Sequence, residues 1–131
     1  HGYAFVSISS ELSRQIKLLW RAETTVVNAY LQPIIHQYVS RIRQGLHHAP
    51  LRIMTSAGSQ AEAGAFQPKD SLLSGPAGGV VGAVEIGKQA GHREVIGFDM
   101  GGTSTDVSLY HQRLDYRYES KVGDQKILSP S

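Results

Sequence analysis

From its third residue the chain alternates, and Tyr3 to Ser9 reads as a short strand with Val6 and Ile8 on one face. The rhythm then lengthens. From Thr25, the apolar positions Val27, Leu31, Ile34, Ile35, Tyr38, Val39, Ile42 and Leu46 recur at threes and fours, the stripe of an amphipathic helix. Thr24 or Thr25 is placed to cap its start, and Gly45 lies near its end. Pro33 falls inside the pattern, where the lost hydrogen bond costs about 3 kcal/mol in a regular helix. A kink there, or a junction of two helices, is expected.

Leu51 to Gly58 reads as a buried strand running into a loop, and "SQAEAGAFQPKD" as a loop with one helical turn. A second helix starts sharply: Ser74 caps it, Pro76 lies in its first turn and Gly91 follows its end. Gly78, Gly79, Gly82 and Gly87 stand inside it, each costing about 1 kcal/mol against alanine. Gly79, Gly82, Ala83, Gly87 and Ala90 share one stripe, which implies close approach by a strand or a ligand, or tight helix packing alone. Val95 to Met100 then reads as a strand, Gly101-Gly102 as a turn and Thr105 to Tyr110 as the returning strand. Arg113 to Ser120 alternates again and predicts a third antiparallel strand. The expected division is a mainly helical part, residues 1–92 with a strand at 51–58, and a hairpin region at 93–120.

Composition adds boundaries. At 131 residues, 40% apolar and 18% charged, the chain fits one globular domain with a hydrophobic core. A formal charge of +2 with scattered Lys and Arg gives no footprint for nucleic acid, and Arg41-Ile42-Arg43 reads as the solvated end of a helix. No run approaches the roughly 18 apolar residues of a membrane span. The absence of cysteine removes disulfides and thiolate metal sites, and the cytoplasm is the expected compartment. His36, His47, His48, His92 and His111 share no ligand spacing, and His47-His48 reads as a polar loop. Ser74 lacks the Gly-x-Ser-x-Gly surroundings of a nucleophile. The chain opens at His1 without methionine and stops at "KILSPS", so a piece of a longer protein is expected.

The chemistry concentrates in "VIGFDMGGTSTDVSLY", Val95 to Tyr110. Successive N–H groups in a glycine turn form a concave anion site, because no Cβ blocks a phosphate. Thr103, Ser104 and Thr105 add hydroxyl donors, and Asp99 and Asp106 should meet across the mouth of the turn. Two carboxylates beside a phosphate call for a cation, and Mg²⁺ prefers carboxylates, waters and phosphate oxygens. One aspartate would hold the metal while the other orients an attacking group. A P-loop needs Gly-Lys-Ser/Thr, whereas Gly87-Lys88 is followed by Gln89. A Rossmann turn leads into a helix, whereas "TDVSLY" is a strand.

"FDMGGTSTDVS" resembles the second phosphate loop of the actin, sugar-kinase and heat-shock-chaperone ATPases, whose fold is an α/β, ribonuclease H-like one with a mixed sheet. More narrowly, "TTVVNAYLQP", "LSGPAGGVVGAV" and "VIGFDMGGTSTDVS" together resemble the hydantoinase A/5-oxoprolinase family. The resemblance implies an ATP-dependent enzyme that phosphorylates the amide oxygen of 5-oxoproline or a hydantoin and opens the ring with water. It implies Mg²⁺ with the ATP, and in many members a monovalent cation such as K⁺. By position, Gly101, Gly102, Thr103, Ser104 and Thr105 would cradle phosphate, with Gly75, Gly78 and Gly79 on the nearby wall. Asp99 and Asp106 would serve Mg²⁺ or the transferring phosphoryl group. Partners would be a nucleotide, a small cyclic amide and the remaining domains of the enzyme. The "SNGG" of the family is replaced by Ser56-Ala57-Gly58-Ser59, and only one Asp-x-Gly-Gly-Thr occurs, so the chain alone is expected to be inactive. Related carboxylase subunits, and a non-catalytic structural piece, are the competing readings.

Overall fold

A computed structural model describes residues 2–47 and 49–131; the polar-loop expectation for His48 lies outside them. Among the described residues, three α-helices, a 3-10 turn and three separate two-stranded antiparallel sheets make up the α/β chain. The mixed sheet expected from the resemblance is not formed among the described residues.

The longest element is α2, Leu18–Gly45, preceded by the short α1, Ser9–Leu12. It starts well before Thr24. The hydroxyls of Thr24 and Thr25 donate back to the carbonyls of Trp20 and Arg21, at 2.8 and 2.7 Å, instead of capping. The assigned helix is continuous through Pro33, with no second helix beginning there. Tyr3 to Ser9 is not a strand: among the described residues no strand pairs with it, most of it is exposed, and Ser9 begins α1. Its attachment is polar, Ser7 accepting from Asn28 Nδ2 at 3.0 Å and donating to Gln32 Oε1 at 3.1 Å.

Asn28 and Thr24 are the largest fully buried side chains, and each ties α2 to a distant segment. Asn28 Oδ1 accepts the Lys69 N–H at 3.0 Å, and Thr24 Oγ1 accepts the Leu128 N–H at 2.9 Å. Lys69 is the second residue of a short 3-10 turn, Pro68–Ser71, at the end of the loop in which a helical turn was expected. Its buried Nζ lies 2.5 Å from Asp70 Oδ1 and 3.3 Å from Ser129 Oγ, and Ser129 in turn donates to Asp70 at 2.6 Å. Ser56 closes the group by donating to the Pro130 carbonyl at 3.0 Å. The apolar core is correspondingly small: Val39, Val84, Tyr110, Ile127 and Leu128.

Strand β1, Arg52–Met54, lies inside the stretch expected to be a buried strand, but Arg52 is exposed and Ile53 and Met54 only half-buried. It pairs with β2, Gln60–Glu62, where a loop was expected, so among the described residues its second edge and one face stay open. Helix α3 is Ser74–Gln89; Ser74 is its first residue, and its hydroxyl donates to the Ser71 carbonyl at 3.0 Å rather than capping. Strands β3, Glu94–Met100, and β4, Thr105–His111, form a hairpin in full register from Glu94↔His111 to Met100↔Thr105. The third strand expected at Arg113–Ser120 is not there. The chain reverses at Gln112, with φ of 60°, bridges His111 to Arg113, and then turns to the C-terminus, where Arg117 and Ser131 exchange two backbone bonds of 2.9 Å. Strands β5, Ser120–Val122, and β6, Gln125–Ile127, form their own hairpin against α2. Among the described residues, no helix is long and apolar enough to cross a membrane.

Candidate functional site

One face of the β3–β4 hairpin lies on α3, and glycines set the distance. A Cβ on Gly87 would overlap Val95 Cγ2, and one on Gly97 would overlap the Ser108 hydroxyl and sit 3.7 Å from Ala83 Cβ. The small-residue stripe therefore admits a strand. Gly82 does not share this role, since nothing lies within 4 Å of its Cβ position.

The alternation that turns Val95 and Gly97 toward α3 also turns Asp99 that way. Its cross-strand partner is Asp106, so the two carboxylates stand directly opposite each other, as the sequence suggested. Asp99 Oδ2 is 3.9 Å from the Cβ position of Gly79. Both aspartates, with Pro76, Gly79, Val80 and Ser108, line a cavity of about 360 Å³ between hairpin and helix. The turn above it is tight: the Gly101 N–H donates to the Ser104 carbonyl at 2.9 Å. Gly101, Gly102, Thr103, Ser104 and Thr105 are all exposed. Of the three helix glycines, Gly79 faces the hairpin, Gly78 lies 3.5 Å from Met54 Cγ, and Gly75 opens onto free space.

Like charges directly opposite on a sheet repel, at a cost of up to about 1 kcal/mol. No salt bridge to either aspartate occurs among the described residues. Two unpaired carboxylates beside a cavity fit Mg²⁺, which takes one or two carboxylates and keeps several waters. No group of three or more His, Cys, Asp or Glu suited to a metal occurs among the described residues, so the protein would supply this pair alone. At the far end of α3, Lys88 donates to Glu85 at 3.0 Å; that bond first, then the Glu85 charge, raises its pKa above the ordinary lysine value.

Sequence reasoning passed over Val80 and Ser108 as cavity walls. The available signal was Gly97, because a glycine in mid-strand marks a close approach.

The fold is similar to that of acetone carboxylase. The nucleotide-free structure of that protein, from work on ATP-dependent acetone carboxylation, superimposes over 93% of this chain and 18% of its own, with a TM-score of 0.81 and 26% identity. The hydantoinase/oxoprolinase family model matches residues 21–131, and the chain belongs to that family. It is 44% identical to the 5-oxoprolinase of Saccharomyces cerevisiae, across 98% of this chain and 10% of the yeast protein. It is 34% identical to the caprolactamase alpha subunit of Pseudomonas jessenii, across 80% of this chain and 16% of that subunit. The chain thus spans about a tenth of the length of the 5-oxoprolinase it matches.

Proposed function

We propose that this chain is the hairpin-bearing part of an ATP-dependent cyclic-amide hydrolase of the 5-oxoprolinase type, with an actin-like ATPase fold. The observation that carries the reading is the Asp99–Asp106 pair, facing Gly79 across a cavity beneath a glycine turn. In this reading the Gly102 amide and the hydroxyls of Thr103, Ser104 and Thr105 hold phosphate oxygens, while the Gly101 N–H, bonded to the Ser104 carbonyl, shapes the turn. Asp99 and Asp106 hold Mg²⁺, which when bound neutralises charge on the phosphates. Gly79 keeps the helix wall low enough for the ligand to approach Asp99. The γ-phosphoryl group would pass from ATP to the amide oxygen, leaving ADP, and water adding to the activated carbon would open the ring as inorganic phosphate leaves. The relatives named for 5-oxoproline and caprolactam chemistry support a cyclic amide as substrate.

The test is ring-dependent ADP release by the full-length protein with 5-oxoproline. Asp99→Asn and Asp106→Asn should each lower turnover by about 10²–10³, the loss typical of a preorganised electrostatic group. Turnover unchanged in both variants would sink the assignment. A second reading, an ATP-dependent carboxylase, is favoured by the likeness to acetone carboxylase. ADP release that depends on bicarbonate and a ketone, and not on a cyclic amide, would select it.

A further inference from the structure

The cavity beneath the glycine turn has a neighbour. A second cavity, of about 830 Å³, shares four of its walls: Pro76 and Val80 of α3, and Val107 and Ser108 of β4. That volume falls within the roughly 300–1,000 Å³ of small-molecule sites. Leu73, Leu109 and Leu114 give it an apolar side, and the segment 113–121 gives it a charged rim. Ser108 stands two residues from Asp106 on the same face of β4, so the shared wall leads straight to the carboxylate pair.

The charges on that rim do not balance. Asp115 is taken by Arg113 at 3.2 Å, and Glu119 by Lys17, which lies outside the lining. His111 is held by Glu94 at 2.8 Å. Among the described residues no carboxylate pairs with Arg117 or Lys121, so the cavity keeps two uncompensated cations and no uncompensated anion. A small anion gains from such a surplus, and a neutral ligand does not. Arg117 is the better placed of the two. Its N–H and its carbonyl each bond Ser131 at 2.9 Å, which fixes its backbone, whereas Lys121 stands opposite Lys126 in the β5–β6 pair. Its guanidinium can also meet a carboxylate through two parallel hydrogen bonds, which an ammonium cannot.

We propose that Arg117 binds a carboxylate carried by the cyclic amide, so that the ring lies in the larger cavity with its amide toward Ser108 and the Asp99–Asp106 pair. The inference rests on the cyclic-amide reading and narrows it. The substrate class becomes a lactam bearing a carboxylate, as 5-oxoproline does, and not a bare lactam such as caprolactam. Arg117 is then the residue that sets specificity, while the chemistry stays at the hairpin.

The test uses the full-length protein with Arg117→Gln, Arg117→Lys and, as the control cation, Lys121→Gln. Affinity for 5-oxoproline would be measured by calorimetry. The preference in kcat/KM for 5-oxoproline over 2-pyrrolidinone, the same ring without the carboxylate, would be measured by ADP release. Arg117→Gln should weaken 5-oxoproline binding about 10- to 100-fold, the worth of a hydrogen bond to a charged group, and shrink the preference by the same factor. Turnover of 2-pyrrolidinone should not change, Arg117→Lys should recover part of the loss, and Lys121→Gln should have the smaller effect. Unchanged 5-oxoproline binding in Arg117→Gln would overturn the proposal. So would an equal loss for both rings, which marks a merely structural role, or a larger loss in Lys121→Gln. Binding of 5-oxoproline through Arg117, with no ADP released on either ring, would support the carboxylate site and remove the hydrolase reading. Ring-dependent ADP release that Arg117→Gln leaves unaltered would do the reverse.

Discussion

Two glycines on the same helix are expected to respond oppositely to one added methyl group. Gly82 faces open space, so Gly82→Ala should stabilise the chain by about 0.5–1 kcal/mol through helix propensity alone. At Gly87 the same change drives a Cβ into Val95, a stiff β-branched neighbour, and overpacking should cost about 1–3 kcal/mol. Urea midpoints of the two variants, compared with the parent, check the sign of each. The stripe itself was legible in the sequence, but its membership was not: glycine spacing shows which positions share a face, not which of them meets another atom. The reverse held for Asp99 and Asp106. A turn of known length fixes cross-strand register, so their pairing followed from counting residues. Ser74 and Thr24 show the limit of cap signals. A hydroxyl near a helix start can donate backward to a carbonyl as readily as accept from an amide, and only the surrounding fold decides.

At the scale of elements, α2 carries an unused reserve. Pro33 leaves a missing hydrogen bond within a continuous, solvent-exposed helix, so Pro33→Ala should raise stability by about 1–3 kcal/mol. The gain would be read as a higher urea midpoint, with little change in far-ultraviolet helicity. The long elements α2, α3 and the hairpin were visible because apolar periodicity accumulates over many residues. Strands β2, β5 and β6 have three residues each, too few for a period to register, and they exist because of their partners. Arg113 to Ser120 failed in the opposite sense. Its alternation is that of a strand, yet the reversal at Gln112 carries it away from the edge of β4. Early residues of α2 escaped notice because Leu18 and Leu19 are exposed and interrupt the amphipathic pattern.

Taken whole, the molecule is held together by polar clasps as much as by its core. Lys69, Asp70, Ser129 and Ser56 join the 3-10 turn, the β1 loop and the C-terminal residues. Lys69→Ala leaves Asp70 without its buried cation and should cost about 3 kcal/mol, a large share of any small domain's stability. Trp20 offers the readout, since the ammonium groups of Lys17 and Lys126 stand 4.2 and 4.6 Å from its ring and link it to β6. A lower thermal midpoint by Trp20 fluorescence is the expected result. The bond from Leu128 to Thr24 also bears on how the chain is made. Thr24 leaves the ribosome first, and at about 5–20 residues per second its partner follows roughly 5–20 s later. During that interval α2 exists without the segment that seals its polar pocket, and helices alone are marginal in water. Synthesis therefore exposes a half-built helix for seconds before closure is even geometrically available.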